Sequence, residues 1–113
     1  MGEVRARALV ENGGDAALAR RGMLDVSAVR RVDVEMVVDT GMVVVLPQNM
    51  VEALGVEQYP ADDRLLEMPI AGPLRLTVFR HAMSTDCLVG PARCQPRLGQ
   101  IVLDRFVDPI KMR

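Results

Sequence analysis

Hydrophobic and polar residues alternate along several short stretches of the chain, which is the pattern of half-buried β-strands. The period of two covers residues 4–10, 29–38 and 74–80. Residues 42–46 instead form a continuous apolar run, as expected of a strand that is buried on both faces. A turn at 81–83 leads to a further strand over 85–89, and residues from about 57 to 70 resemble a hairpin with a polar tip. The pattern predicts about seven short strands.

One segment has clear signals for the start and the end of a helix. Pro47 suits the first position of a helix, where its missing N–H is harmless, and Gly55 suits the end. Between them the apolar residues have helical spacing: Met50, Val51 and Leu54. A shorter helix over 16–21 can be capped by Asp15. These elements predict a mainly β domain, a closed or partly closed barrel with one clear short helix.

The composition suits one domain that spans residues 1–113 and has an aliphatic core. Half of the residues are hydrophobic, but only 3% are aromatic. Domains of this size bury a modest fraction of their surface, so that a second copy of the chain would add useful apolar burial.

Charge and cysteine usage exclude several classes of function. The net charge is -1, without the basic patch that nucleic-acid binding requires. His81 is the only histidine, and the two cysteines lack CxxC spacing, so we expect no metal and no cofactor. No apolar stretch is long enough to cross a bilayer, and the N-terminus is too charged for a signal peptide. We therefore expect a cytoplasmic protein that binds neither membrane nor nucleic acid.

Asp39 interrupts the most apolar part of the chain, "VVDTGMVVVLP". A buried carboxylate is costly unless it has partners or a proton. On its own, Asp-Thr-Gly is consistent with a turn in which the carboxylate accepts hydrogen bonds from nearby backbone N–H groups.

Two motifs together resemble the retropepsin-like aspartic proteases, especially the small bacterial members. The first is "VVDTGMVVVLPQNMVEALGV", in which Asp-Thr-Gly is followed by an apolar run, Leu-Pro, a helix and Leu-Gly. The second is "TDCLVGPARCQPRLGQIVLD", with Leu-Val-Gly-Pro and then an apolar residue before Gly99. The intervening "IAGPLRLTVF" is also similar, and the resemblance covers roughly residues 4–109.

The resemblance implies a closed barrel of the acid protease fold with one short helix, and an aspartic endopeptidase that acts as a homodimer on protein or peptide substrates. Asp39 of each chain would be catalytic, with a water activated between the two carboxylates. Thr40 and Gly41 would support the active-site loop. Met42 would contact the substrate, as would the tip of a flap formed by the hairpin at about 57–70, namely Ala61, Asp62 and Asp63.

Three departures from the family pattern bear on activity. Met42 replaces the usual Ala or Ser, the flap region between Val56 and Ala71 contains no glycine, and the segment before Val107-Asp108-Pro109 is short. A dimer with the protease fold that binds peptides without cleaving them is therefore an alternative.

A second alternative belongs to another class of protein. "VVVLPQNMVEALGV" also resembles the strand–Pro–helix unit of swapped-hairpin DNA-binding regulators. That likeness leaves Asp39 and the second motif unexplained, and the near-neutral charge counts against it.

Overall fold

The computed structural model of the chain describes residues 4–39, 41, 43–60 and 68–99. Seven strands, two α-helices and one 3-10 turn account for most of them. In chain order they are β1 (Val4–Asn12), α1 (Gly13–Arg20), the 3-10 turn (Val26–Ala28), β2 (Arg31–Asp39), β3 (Val44–Pro47), α2 (Gln48–Leu54), β4 (Glu57–Tyr59), β5 (Ile70–Val78), β6 (His81–Gly90) and β7 (Arg97–Gly99).

Six of the strands close into a barrel in the order β1-β2-β7-β3-β6-β5. The ring closes because β5 pairs with β1 as well as with β6, with Ala8 opposite Val78. β4 lies outside the ring and pairs with the first residues of β5, with Tyr59 opposite Ile70. The prediction of a mainly β, closed barrel in one compact domain is confirmed.

The core of the described part is aliphatic, as the composition predicts. Side chains from β1 alternate between the interior and the exterior, which explains the period of two in the sequence. The two described aromatic residues, Tyr59 and Phe79, are both exposed. The largest fully buried side chains come from five of the elements: Met36, Leu46, Leu54, Leu74, Leu76 and Leu98.

Both predicted helices form within the described residues, although α1 spans Gly13–Arg20 and not 16–21. α2 ends where it was expected, at Gly55, whose φ of 66° is the left-handed conformation that glycine tolerates. The cap predicted for α1 is wrong, because Asn12, not Asp15, accepts the hydrogen bond at its start, from the N–H of Asp15 at 3.0 Å. Asp15 is instead held by Arg30, whose Nε lies 2.8 Å from Oδ2.

The turn predicted at 81–83 is also wrong, because β6 runs without interruption from His81 to Gly90. The chain reverses two residues earlier, at Phe79 and Arg80, which both have positive φ. Positive φ at both central residues is what a two-residue hairpin needs to match the strand twist. Neither residue is the glycine or asparagine that normally marks such a turn, so no local sequence pattern indicates a turn at this position.

Candidate active site

Asp39 is the last residue of β2, at a point where two strands that are consecutive in the chain are separated in the sheet. The chain continues from β2 into β3, but these two consecutive strands are not neighbours in the barrel. β7 lies between them, parallel to β2 and antiparallel to β3. The loop that joins β2 to β3 therefore has to cross the end of β7, which brings Asp39 opposite Gly99.

Gly99 supports this loop by direct backbone contact. Its N–H donates to the carbonyl oxygen of Val43 at 3.0 Å. A Cβ atom built on Gly99 would lie 2.5 Å from the carbonyl oxygen of Gly41 and 2.8 Å from the backbone nitrogen of Val43. Only a residue without a side chain fits there, because both neighbours are backbone atoms. The two sequence motifs are thus in contact: the glycine of the second fits beneath the loop of the first.

The carboxylate of Asp39 has one oxygen held by the loop and one beside a cation. Oδ1 accepts a hydrogen bond from the N–H of Gly41 at 2.8 Å. Oδ2 lies 3.3 Å from Nη1 of Arg97. The Asp39 side chain is 34% exposed, so the carboxylate is accessible from solvent although its orientation is fixed.

Arg97 is a site residue that the sequence reading missed. It lies on β7, two residues before Gly99, and its side chain is 53% exposed. The available signal was its position: a residue next to the strand end that supports the Asp39 loop lies close to the carboxylate. The sequence reading used Leu98 and Gly99 of this motif and gave Arg97 no role.

Several predicted site residues lie outside the described residues. These are Thr40, Met42, Ala61, Asp62 and Asp63. Of the expected hairpin, the structure describes the base, where β4 pairs with β5. Its role as a flap stays a prediction.

A hydrogen bond joins β4 to β6 across β5, the strand that lies between them. The hydroxyl of Tyr59 donates to Oδ2 of Asp86 at 3.0 Å, and this bond raises the pKa of the tyrosine. Oδ1 of Asp86 lies over Gly72 on β5, where any Cβ would be 2.0 Å away. The carboxylate of Asp86 therefore depends on a glycine in the intervening strand.

A mainly apolar hollow of about 200 Å³ opens beside the Asp39 loop. Val43, the residue before β3, contributes one wall, and the others come from β5 and β6: Ile70, Asp86, Cys87 and Leu88. Val43 itself is exposed. The hollow is large enough to accept an apolar side chain from a ligand.

In the part of the chain that the structure describes, no three or more His, Cys, Asp or Glu side chains are grouped as a metal ion would need. Within the same residues, no helix has the length and apolar character to cross a bilayer.

Comparison of the chain with family models, with curated proteins and with solved structures finds no match.

Proposed function

We propose that the chain is an aspartic endopeptidase that cleaves protein or peptide substrates as a homodimer, with Asp39 of each copy in the active site. One observation carries the proposal: Asp39 lies at the end of β2, where β7 separates β2 from β3, and its loop packs against Gly99 of the second motif. The hydrogen bond from Gly41 to Oδ1 of Asp39 is also what a plain turn would form, so the proposal rests on the contact that joins the two motifs.

The geometry of the carboxylate supports the chemistry. The N–H of Gly41 fixes Oδ1, which leaves Oδ2 as the oxygen directed away from the loop backbone. A carboxylate that is oriented by its own loop and still accessible is suited to general acid–base catalysis.

The second carboxylate comes from the second copy, because the chain contains a single Asp-Thr-Gly. Two carboxylates close together do not both ionise, so that the pair shares one proton, as aspartic proteases generally do. The ionised Asp39 removes a proton from a water, whose oxygen attacks the peptide carbonyl carbon. The protonated Asp39 gives its proton to the carbonyl oxygen. The tetrahedral intermediate then collapses: the C–N bond breaks, and the leaving nitrogen takes up a proton from the dyad.

The proposal includes a cytoplasmic location. Cys87 and Cys94 are both free thiols, as is usual in a reducing compartment.

Replacement of Asp39 by Asn tests the activity. We expect wild type to cleave a denatured protein pool between about pH 4 and pH 7. The cleavage rate of Asp39→Asn should be lower by about a thousandfold or more. Asp33→Asn is the matched control, because Asp33 is also on β2 but forms an exposed ion pair with Arg7. Sedimentation analysis reports the dimer in each sample. A wild-type dimer that cleaves nothing across this range would refute the endopeptidase, and salt-dependent retention of DNA would favour a regulator.

The ion pair between Arg97 and Asp39 favours a second candidate, a dimer that binds peptides without cleaving them. Arg97 lies at the oxygen that the reaction needs. If the guanidinium stays there when a peptide binds, Oδ2 is not available to hold the shared proton or the water. Binding of library peptides to wild type, with no cleavage product by mass spectrometry, would identify this function.

A further inference from the structure

Arg97 is placed to contact a ligand as well as Asp39. It lies on β7, between the strand that ends at Asp39 and the strand that follows the loop. Just over half of its side chain is exposed. Among the described residues, the hydrogen-bond partner of its side chain is Oδ2 of Asp39, which it contacts through Nη1.

A guanidinium has five N–H donors in a planar fork, and this contact uses one of them. The fork matches a carboxylate, which it can bind through two parallel hydrogen bonds. The existing contact is a single, long and largely solvent-exposed one, and ion pairs of that kind are weak. A carboxylate on a bound peptide would therefore compete well with Asp39 for Arg97.

The competition has a consequence for Asp39. While Arg97 lies against Oδ2, a cation faces the oxygen that the proposed reaction uses. When Arg97 turns to a carboxylate of the substrate, Oδ2 becomes free to approach the second Asp39 and a water. Substrate binding and release of the catalytic oxygen then happen in one step.

We infer that Arg97 is a specificity-determining residue that binds a carboxylate of the substrate close to the scissile bond and thereby releases Asp39. This inference rests on the proposed function. The preferred substrate is a peptide with an Asp or Glu side chain beside the cut. A short peptide that presents its C-terminal carboxylate there has the same chemistry.

Matched peptides test the inference. One series carries Glu beside a cleaved bond and an amidated C-terminus, a second has Gln at the same place, and a third combines Gln with a free C-terminus just beyond the bond. For wild type we expect kcat/KM to be about ten- to a hundredfold higher with Glu than with Gln, the effect of one charge-assisted hydrogen-bonded pair. A gain for the third series would assign the recognised group to the chain terminus.

Arg97→Gln should remove the preference in two separable ways. KM for the Glu peptide rises because the carboxylate loses its partner, and kcat for the Gln peptide rises because Oδ2 is no longer occupied. Arg97→Lys should restore part of the preference, since Lys keeps the charge but not the planar fork. Arg93→Gln is the control: Arg93 is an exposed arginine of the same segment, and its recorded contact is a backbone N–H to Asn49. It should leave the preference unchanged.

The failures of the two proposals are distinguishable. Cleavage that requires Asp39 but shows equal rates for Glu and Gln peptides in both wild type and Arg97→Gln would overturn the role of Arg97 and keep the endopeptidase. Absence of cleavage, with Glu peptides bound through Arg97 by wild type and by Asp39→Asn, would overturn the endopeptidase and keep the carboxylate site.

Discussion

Gly99 and Gly41 are in van der Waals contact through their backbones, and the contact is so close that a Cβ on Gly99 would stand 2.5 Å from the carbonyl oxygen of Gly41. Gly41 in turn donates its N–H to Oδ1 of Asp39. The orientation of the carboxylate is therefore linked to the absence of a side chain on another strand.

Gly99→Ala should disturb both stability and the site. The added Cβ meets backbone atoms of Gly41 and Val43, which can yield only if the backbone moves. Overpacking of this kind typically costs 1–3 kcal/mol, and we expect about 3 kcal/mol in the free energy of unfolding because the obstacle is backbone. Urea unfolding at fixed protein concentration measures the loss, and the amide resonance of Gly41 in a ¹H–¹⁵N spectrum reports movement of the loop.

Gly22→Ala is the control for Gly99→Ala. Gly22 has a φ of 73°, and a Cβ there would meet nothing within 4 Å. Gly22→Ala should lower the free energy of unfolding by about 1 kcal/mol, because the alanine must adopt the left-handed backbone conformation. The Gly41 resonance should stay in place. If it moves equally in both variants, or in neither, Gly99 is not the support of the loop.

The sequence predicted those strands and helices that are determined by residues a few positions apart. The strands β1 and β2 follow the alternation of apolar and polar positions, and α2 follows its helical spacing and the glycine after it. The turn at Phe79 and Arg80 escaped because neither residue belongs to the types that favour positive φ. There the surrounding strand pairing decides the conformation, and single-sequence reasoning does not see it.

In the candidate site too, features with a local sequence signal could be predicted and features that depend on strand order could not. Asp39 stood out because a carboxylate in an apolar run is a local anomaly, but its proposed role came from the resemblance that the two motifs carry together. The ion pair with Arg97 is a property of the barrel topology, which inserts three residues of β7 between two strands that follow each other in the chain. A three-residue strand has no usable periodicity, so the alternation of apolar and polar residues did not predict β7, and only the neighbouring Leu98-Gly99 of the second motif indicated that Arg97 could lie near Asp39.

Asp15 should make part of the stability dependent on pH. The hydrogen bonds from the Arg30 side chain, at 2.8 and 3.0 Å, and then that from its backbone N–H, at 3.1 Å, hold the pKa of Asp15 below its ordinary value of 3.8. A group with a folded pKa below its unfolded pKa contributes stability that is complete above the unfolded value. That contribution is lost as the pH falls through the folded pKa.

Asp15→Asn should therefore unfold at lower urea than wild type from neutral pH down to about pH 5, with a difference that shrinks below about pH 3.8. Asp33→Asn removes a carboxylate from an exposed pair with Arg7 at 3.2 Å and should change the urea midpoint much less. A wild-type advantage over Asp15→Asn that grew with acidity would contradict the assignment.

The two thiols should differ strongly in reactivity. Burial, and secondarily the neighbouring Asp86, raises the pKa of Cys87 to about 12, whereas Cys94 is only partly buried. The thiolate is the reactive form, and at about pH 8 Cys87 is almost entirely in the unreactive thiol form. Iodoacetamide should therefore label Cys94 in the native protein and reach Cys87 only after unfolding, as peptide mass spectrometry would show.

Two single variants assign the labelling of the native protein to one thiol or the other. Cys94→Ser should leave the native protein almost unlabelled, and Cys87→Ser should retain the wild-type labelling rate because Cys94 is unchanged. In urea both variants should react at similar rates, since an unfolded chain gives both thiols the same solvent environment. Rapid labelling of native Cys94→Ser would mean that β6 opens to solvent at Cys87, and the hollow beside the Asp39 loop, which Cys87 helps to line, would open with it.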